Sequence, residues 1–143
     1  ERTFAACRTY AEQIAAHGLV PILEPEVLLK SQAREAAEAI LLEELWKGLD
    51  ALPAHRDVIL KLSIPVKPDL YAPLIAHPRV VRVVALSGGY STAEACAKLA
   101  ENHGLIASFS RGLLQDLRAQ QGDDEFDRTL GAAIDRIHTA SIS

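Results

Sequence analysis

Four apolar runs, each followed by a helical pattern, constrain this chain more than any other feature. The runs are "LVPILEP" (19–25), "VILKLSI" (58–64), "VVRVVALSGG" (80–89) and "LIASFS" (105–110). Their starts, near 19, 57, 80 and 105, recur at roughly 25–40 residues, the spacing of βα units. Strands that are apolar along their length, rather than alternating, belong to a parallel sheet covered on its faces. The alternation with helices predicts an α/β fold.

The intervening segments carry helix signals. Residues 3–17 place Phe4, Cys7, Ala11 and Ile14 on one face, and Gly18 stops the pattern. Residues 33–49 are rich in Ala, Leu and Glu, with Trp46 expected to pack between helix and sheet. Pro68, Pro73 and Pro78 allow only a short helix within 67–78. Ser91 and Glu94 match a capping box that opens a helix closed by Gly104. A short helix follows Arg111, and Asp123-Asp124 starts the last one, with the stripe Phe126, Leu130, Ile134 and Ile137. No linker or low-complexity segment interrupts residues 1–143, which read as part of one domain. The chain opens at Glu1 inside an uncapped helix pattern, which reads as a piece of a longer chain.

Composition narrows the partners. Hydrophobic residues make up 49% and charged residues 24%, a globular balance. The net charge is −4 and no basic run is present, which argues against nucleic acid or an anionic membrane as partner. No apolar stretch reaches membrane-span length, and no signal peptide is visible. Cys7 and Cys96 fit no CxxC or zinc spacing and read as buried thiols of a cytoplasmic protein. His17, His55, His77, His103 and His138 are not paired at metal-ligand spacing, so neither a metal nor a cofactor is expected.

Chemistry-bearing residues gather at the strand ends. Both (β/α)8 barrels and open α/β sheets place their sites there. A flavodoxin-like open sheet would concentrate its site at one switch point, whereas here all four strand ends are polar. Barrels often bind phosphate with the loops after their last two strands and the start of a short extra helix. The third and fourth runs end in Ser87-Gly88-Gly89 and in Ser110-Arg111, which is that layout if the runs are barrel strands 7 and 8. Gly N–H groups approach an anion closely, and a guanidinium suits phosphate.

Lys61 is the anomaly, an ammonium in the middle of an apolar run. A buried charge without a partner is costly, so the side chain either escapes to water or is used. A neutral lysine amine attacks a ketone and forms a Schiff base. That reaction needs a proton shuttle, and Glu24 and Glu26, flanking Pro25 at the end of the first run, supply carboxyl groups for it.

Taken together, "GLVPILEPEV", "ILKLSIP", "RVVALSGGYS" and "GLIASFSRGLLQDLRAQQ" resemble, in order and spacing, the class I fructose-bisphosphate aldolases, most closely the bacterial branch. The resemblance runs through nearly the whole chain. It implies a (β/α)8 TIM barrel, of which this chain covers the carboxyl-terminal half, βα units 5–8. It implies a metal-independent lyase of glycolysis and gluconeogenesis. Such an enzyme cleaves fructose 1,6-bisphosphate to dihydroxyacetone phosphate and glyceraldehyde 3-phosphate. It further implies that Lys61 is the Schiff-base lysine, Glu24 the general acid/base, and Glu26 a support for the charge around the lysine. Ser87, Gly88, Gly89, Ser110 and Arg111 would hold the phosphate on the dihydroxyacetone side. One departure is Gly112, where the family's pattern leads one to expect alanine. A larger one is that the first half-barrel, with its own catalytic and phosphate-binding residues, is not in this sequence. The isolated chain is therefore expected to lack the full reaction. Its apolar edge runs are expected to be covered by an amino-terminal half-barrel or by self-association. The alternative is an inactive phosphate-binding half-barrel that makes no use of Lys61.

Overall fold

The structure is a computed structural model that describes residues 2–142, with side chains from residue 9 onward. The elements run α1 (Arg2–Ala16), β1 (Ile22–Leu23), α2 (Arg34–Asp50), β2 (Val58–Ser63), α3 (Ala72–Ile75), β3 (Val80–Leu86), α4 (Thr92–Leu99), β4 (Ile106–Ala107), α5 (Ser110–Leu114) and α6 (Asp123–Ser141). The four strands form one parallel sheet in the order β1-β2-β3-β4. The α/β architecture expected from the alternating runs is present, and a sheet of this order is compatible with half of a barrel.

Consecutive order has a structural consequence. Right-handed crossovers between successive parallel neighbours carry every helix to the same side. The burial pattern agrees. Val58, Leu60 and Leu62 of β2, with Val83 and Ala85 of β3, are at most 2% exposed. They join Leu45 and Leu49 of α2, Leu74 of α3, and Ala95, Cys96 and Leu99 of α4 in one core. The opposite face carries Ile22, Ile59, Lys61, Arg82, Val84 and Leu86, all exposed or half-buried. The sequence pattern led us to expect a sheet covered on both faces. Among the described residues only one face is covered, because no crossover reverses direction.

The edge strands are shorter than the apolar runs that announced them. Leu19 and Val20 are 64% and 49% exposed, and only Ile22 and Leu23 pair. On the other edge only Ile106 and Ala107 pair. The central strands β2 and β3 run for six and seven residues, so each edge strand pairs with only part of its neighbour.

The capping box forms as its spacing demands. The Ser91 hydroxyl accepts the Glu94 N–H, and the Glu94 carboxylate accepts from the Ser91 N–H. The Ser91 hydroxyl also donates to the Glu94 carboxylate at 2.7 Å, and this bond, followed by the one from the Ser91 N–H, holds the carboxyl below its ordinary range. Gly112 also acquires a reason. A Cβ there would lie 3.1 Å from the Thr92 hydroxyl, which donates to the Gly112 carbonyl. Glycine lets α5 settle against the start of α4 at that point.

Three expectations are corrected. The buried side of α6 is not the stripe Phe126, Leu130, Ile134, Ile137. Phe126 and Ile134 are 39% and 48% exposed, while Ala133 and Ala140 are buried beside half-buried Leu130 and Ile137. Small residues at that seam let the α6 backbone approach its neighbours. Trp46 is not wedged between helix and sheet. It remains partly exposed and sets its ring edge-on to His77, centroids 4.9 Å apart. On α1, Ala11 is buried but Ile14 is exposed, and Phe4 and Cys7 lie outside the described side chains.

The helix layer also contains a buried ion pair. Arg34 opens α2 and is 6% exposed, and Glu38, one turn on, is fully buried. Arg34 Nε donates to Glu38 Oε1 at 2.7 Å, and the second carboxylate oxygen accepts the Val66 N–H at 2.8 Å. Arg34 also donates to the Ile64 carbonyl. α2 is thereby pinned to the carboxyl end of β2 by charge as well as by Leu45 and Leu49.

Candidate active site

The position of Lys61 follows from the pleat. In β2 the residues facing the helices are Val58, Leu60 and Leu62, so Ile59, Lys61 and Ser63 face the open side. Lys61 escapes its apolar neighbours by alternation: they are buried behind the strand and it stands in front. Its side chain is 28% exposed.

Register then delivers its partner. Leu23 pairs with Leu60, so the next residue, Glu24, falls beside Lys61. Lys61 Nζ donates to Glu24 Oε2 at 2.7 Å. The two belong to adjacent strands and are 37 residues apart in sequence. Glu26 is also exposed but shares no hydrogen bond or ion pair with Lys61. It lies two residues further on, about 6–7 Å along an extended chain, beyond the end of β1. This lysine meets a carboxylate and open solvent rather than a dry pocket lined by cations.

The loop from Glu24 to Ala33 arches over the strand ends. The Ser63 hydroxyl donates to the Val27 carbonyl at 3.2 Å. Leu29 reaches across to the third strand, where a Cβ on Gly88 would lie 3.1 Å from its Cδ1. Gly88 and Gly89 have φ of +63° and +103°. Side chains rarely adopt that backbone, so glycine is required by conformation at both positions and by Leu29 at the first.

The Ser87-Gly88-Gly89 segment is a tight turn, closed by the Tyr90 N–H donating to the Ser87 carbonyl at 3.1 Å. Lys61 pairs with Val84, three residues before Ser87. Ideal sheet dimensions put the Cα atoms of Lys61 and Ser87 on the order of 11 Å apart, one strand across and three residues along. Ser110 and Arg111 open α5 just beyond β4, and both are exposed. Arg111 forms no ion pair among the described residues, which leaves its guanidinium open to solvent.

The candidate site residues thus gather toward the carboxyl ends of the four strands, with Lys61 two residues inside β2 and the others at or beyond a strand end. The structure joins two of them directly, Lys61 and Glu24. It sets the turn and Arg111 further along the same rim and leaves Glu26 at its outer edge. Sequence reasoning passed over Tyr90 and Arg34, whose hydrogen bond at 2.8 Å ties the turn to α2. A signal for Arg34 was present. A cation in the first turn opposes the helix dipole, so an arginine there is placed for a tertiary partner.

Among the described residues no three His, Cys, Asp or Glu side chains converge as a metal site. No described helix is long and apolar enough to cross a membrane. Burial pushes the Cys96 thiol up, in keeping with a packed rather than reactive cysteine. No protein-family model matches the chain.

Proposed function

We propose that the chain is the carboxyl-terminal half of a class I aldolase barrel, acting through a Schiff base at Lys61. The observation that carries this is the 2.7 Å approach of Lys61 Nζ to the Glu24 carboxylate. An amine must lose a proton before it attacks a ketone, and Glu24 stands where it can take it. Nζ then bonds to the ketone carbon, forming a carbinolamine. Glu24 returns the proton to the carbinolamine hydroxyl, which leaves as water. The protonated imine draws electrons from the adjacent C–C bond.

The phosphate end of the substrate would lie along the rim, at the Ser87–Gly89 amides, Ser110 and Arg111. A guanidinium with no ion pair among the described residues and a turn of glycines suit a phosphate. The substrate class is a ketose phosphate, with fructose 1,6-bisphosphate in a cytoplasmic glycolytic role as the specific reading. The groups that complete C–C cleavage belong to the first half of such a barrel. Alone, this chain forms the imine and does not turn over.

The test is reductive trapping. The purified chain is incubated with dihydroxyacetone phosphate, reduced with borohydride and analysed by intact mass and digest. One adduct, mapped to Lys61, is the expected result. No adduct would reject the lysine chemistry and leave the non-catalytic phosphate-binding half-barrel.

The partner reading has its own test. Exposed Leu19, Val20 and Ile22 on one edge, and an open face with Ile59, Val84 and Leu86, are surfaces that invite strand pairing. An amino-terminal half-barrel, or a second copy in its absence, would cover them. Light scattering on the pure chain at micromolar concentration should give a dimer or larger species, and a stable monomer would contradict the reading.

A further inference from the structure

Arg34 reaches three separate parts of the fold. Nε binds Glu38 one turn along α2, and another guanidinium nitrogen binds the Ile64 carbonyl just past β2. The third, Nη1, binds the Tyr90 hydroxyl at 2.8 Å, just past the turn after β3. Arg34 also stands 5.9 Å from the Tyr90 ring centre, and Lys98 Nζ stands 5.3 Å from it. Tyr90 in turn closes the Ser87-Gly88-Gly89 turn through its own N–H.

This connection has a use that packing alone does not require. Glu38, Ile64 and Val66 already fix α2 to β2, and the Tyr90 ring packs at the margin of the core that holds Leu45 and Leu49, so its hydroxyl adds a link from α2 to the turn beyond that packing. The turn, by contrast, holds two adjacent glycines, which have the most conformational freedom to lose when an anion is bound. A planar guanidinium held by two other acceptors is a stiff anchor. Anchoring the turn beforehand lowers the entropic cost of binding.

We propose that Arg34 is a positioning residue that acts through Tyr90. It fixes the Ser87–Gly89 turn relative to the strand carrying Lys61, and so sets the affinity of that turn for the phosphate group of the substrate. The inference rests on the phosphate-turn part of the proposed function and is independent of the chemistry at Lys61.

Tyr90→Phe tests it, because it removes the hydroxyl and keeps the ring, the Arg34–Glu38 pair and the turn's backbone bond. The 143-residue chain is titrated with inorganic phosphate while the Gly88 and Gly89 amides are followed by NMR. Borohydride trapping is run in parallel with dihydroxyacetone phosphate and with phosphate-free dihydroxyacetone. The variant should bind phosphate about two- to tenfold more weakly, the size of one ordinary hydrogen bond. Its trapping should fall for the phosphorylated ketone and not for the other. Equal phosphate affinity in the two chains would overturn the proposal, as would absence of any amide response in the parent chain. An equal fall with both ketones would assign Tyr90 a general structural role and overturn it too. Failure of the lysine chemistry shows separately, as no adduct with either ketone while the phosphate titration still responds.

Discussion

Glu38→Ala should cost about 3–5 kcal/mol of stability, the usual consequence of leaving one member of a buried ion pair alone. Arg34 would keep its charge in a site that is 6% exposed, and the Val66 N–H would lose its acceptor. Burial by itself would lower the Arg34 pKa, and the hydrogen bonds to Tyr90 and Glu38 outweigh it, so the native guanidinium stays charged. With Glu38 gone, no other carboxylate pairs with Arg34 among the described residues. A domain of ordinary size has only about 5–15 kcal/mol of stability in total, so the loss should be plain in the urea midpoint.

The double variant Arg34→Met with Glu38→Leu separates charge from packing. It removes both ions and keeps the volume apolar, and such replacements are often neutral or stabilising. It should regain most of what Glu38→Ala loses. It also cuts the tie to Tyr90, so it should be stable and yet weak for phosphate. A Glu38→Ala midpoint within about 1 kcal/mol of the parent would mean that water or a rearranged Arg34 takes over, and that the pair is not a determinant of the fold.

Lys61→Arg should behave in the opposite way, leaving stability almost unchanged and abolishing the borohydride adduct. The Lys61–Glu24 pair is partly exposed, at 28% and 48% for the two side chains. Pairs of that kind contribute about 0–1 kcal/mol, and arginine preserves the charge opposite Glu24. What arginine lacks is a neutral amine, since its guanidinium stays protonated and does not attack ketones. The mass shift seen with dihydroxyacetone phosphate should therefore vanish, while the melting midpoint stays near that of the parent. An undiminished adduct on the variant would place the reactive amine elsewhere and reject Lys61 as the nucleophile.

These two expectations divide the molecule. A carboxylate behind the sheet acts on folding and never meets the substrate. On the proposed reading, the amine in front of the sheet would act on chemistry and add little to folding. Lys61 is set in front of the sheet by the pleat of β2, and Glu38 reaches the end of that strand from α2 behind it.

Much of this was readable in the sequence because it depends on neighbours along the chain. The four βα alternations, the Ser91–Glu94 capping box, the glycines at 18, 88 and 104, and the oddity of Lys61 are all local patterns. Periodicity and backbone sterics act over a few residues, so the residues themselves determine them. The gathering of Glu24, Lys61, the glycine turn and Arg111 at one rim was also foreseeable, since parallel strands all end on the same side.

What only the tertiary structure decided depends on partners far apart in sequence. Which carboxylate meets Lys61 was settled by the β1–β2 register, which sets Glu24 and not Glu26 beside it. Edge-strand lengths were settled by the pairing itself, which joins only two residues of each edge run to the strand beside it. The buried side of α6 was settled by how closely that helix could approach, which selected Ala133 and Ala140 over Phe126 and Ile134. On α2 the hydrophobic rule inverts, with Glu38 fully buried and Ile40 62% exposed. No window of sequence announces that, because burying a carboxylate becomes tolerable only when Arg34 and the Val66 N–H are brought to it. The 56-residue reach from Arg34 to Tyr90 is of the same kind. Local chemistry determined which elements form, and long-range packing determined which faces, partners and charges they bring together.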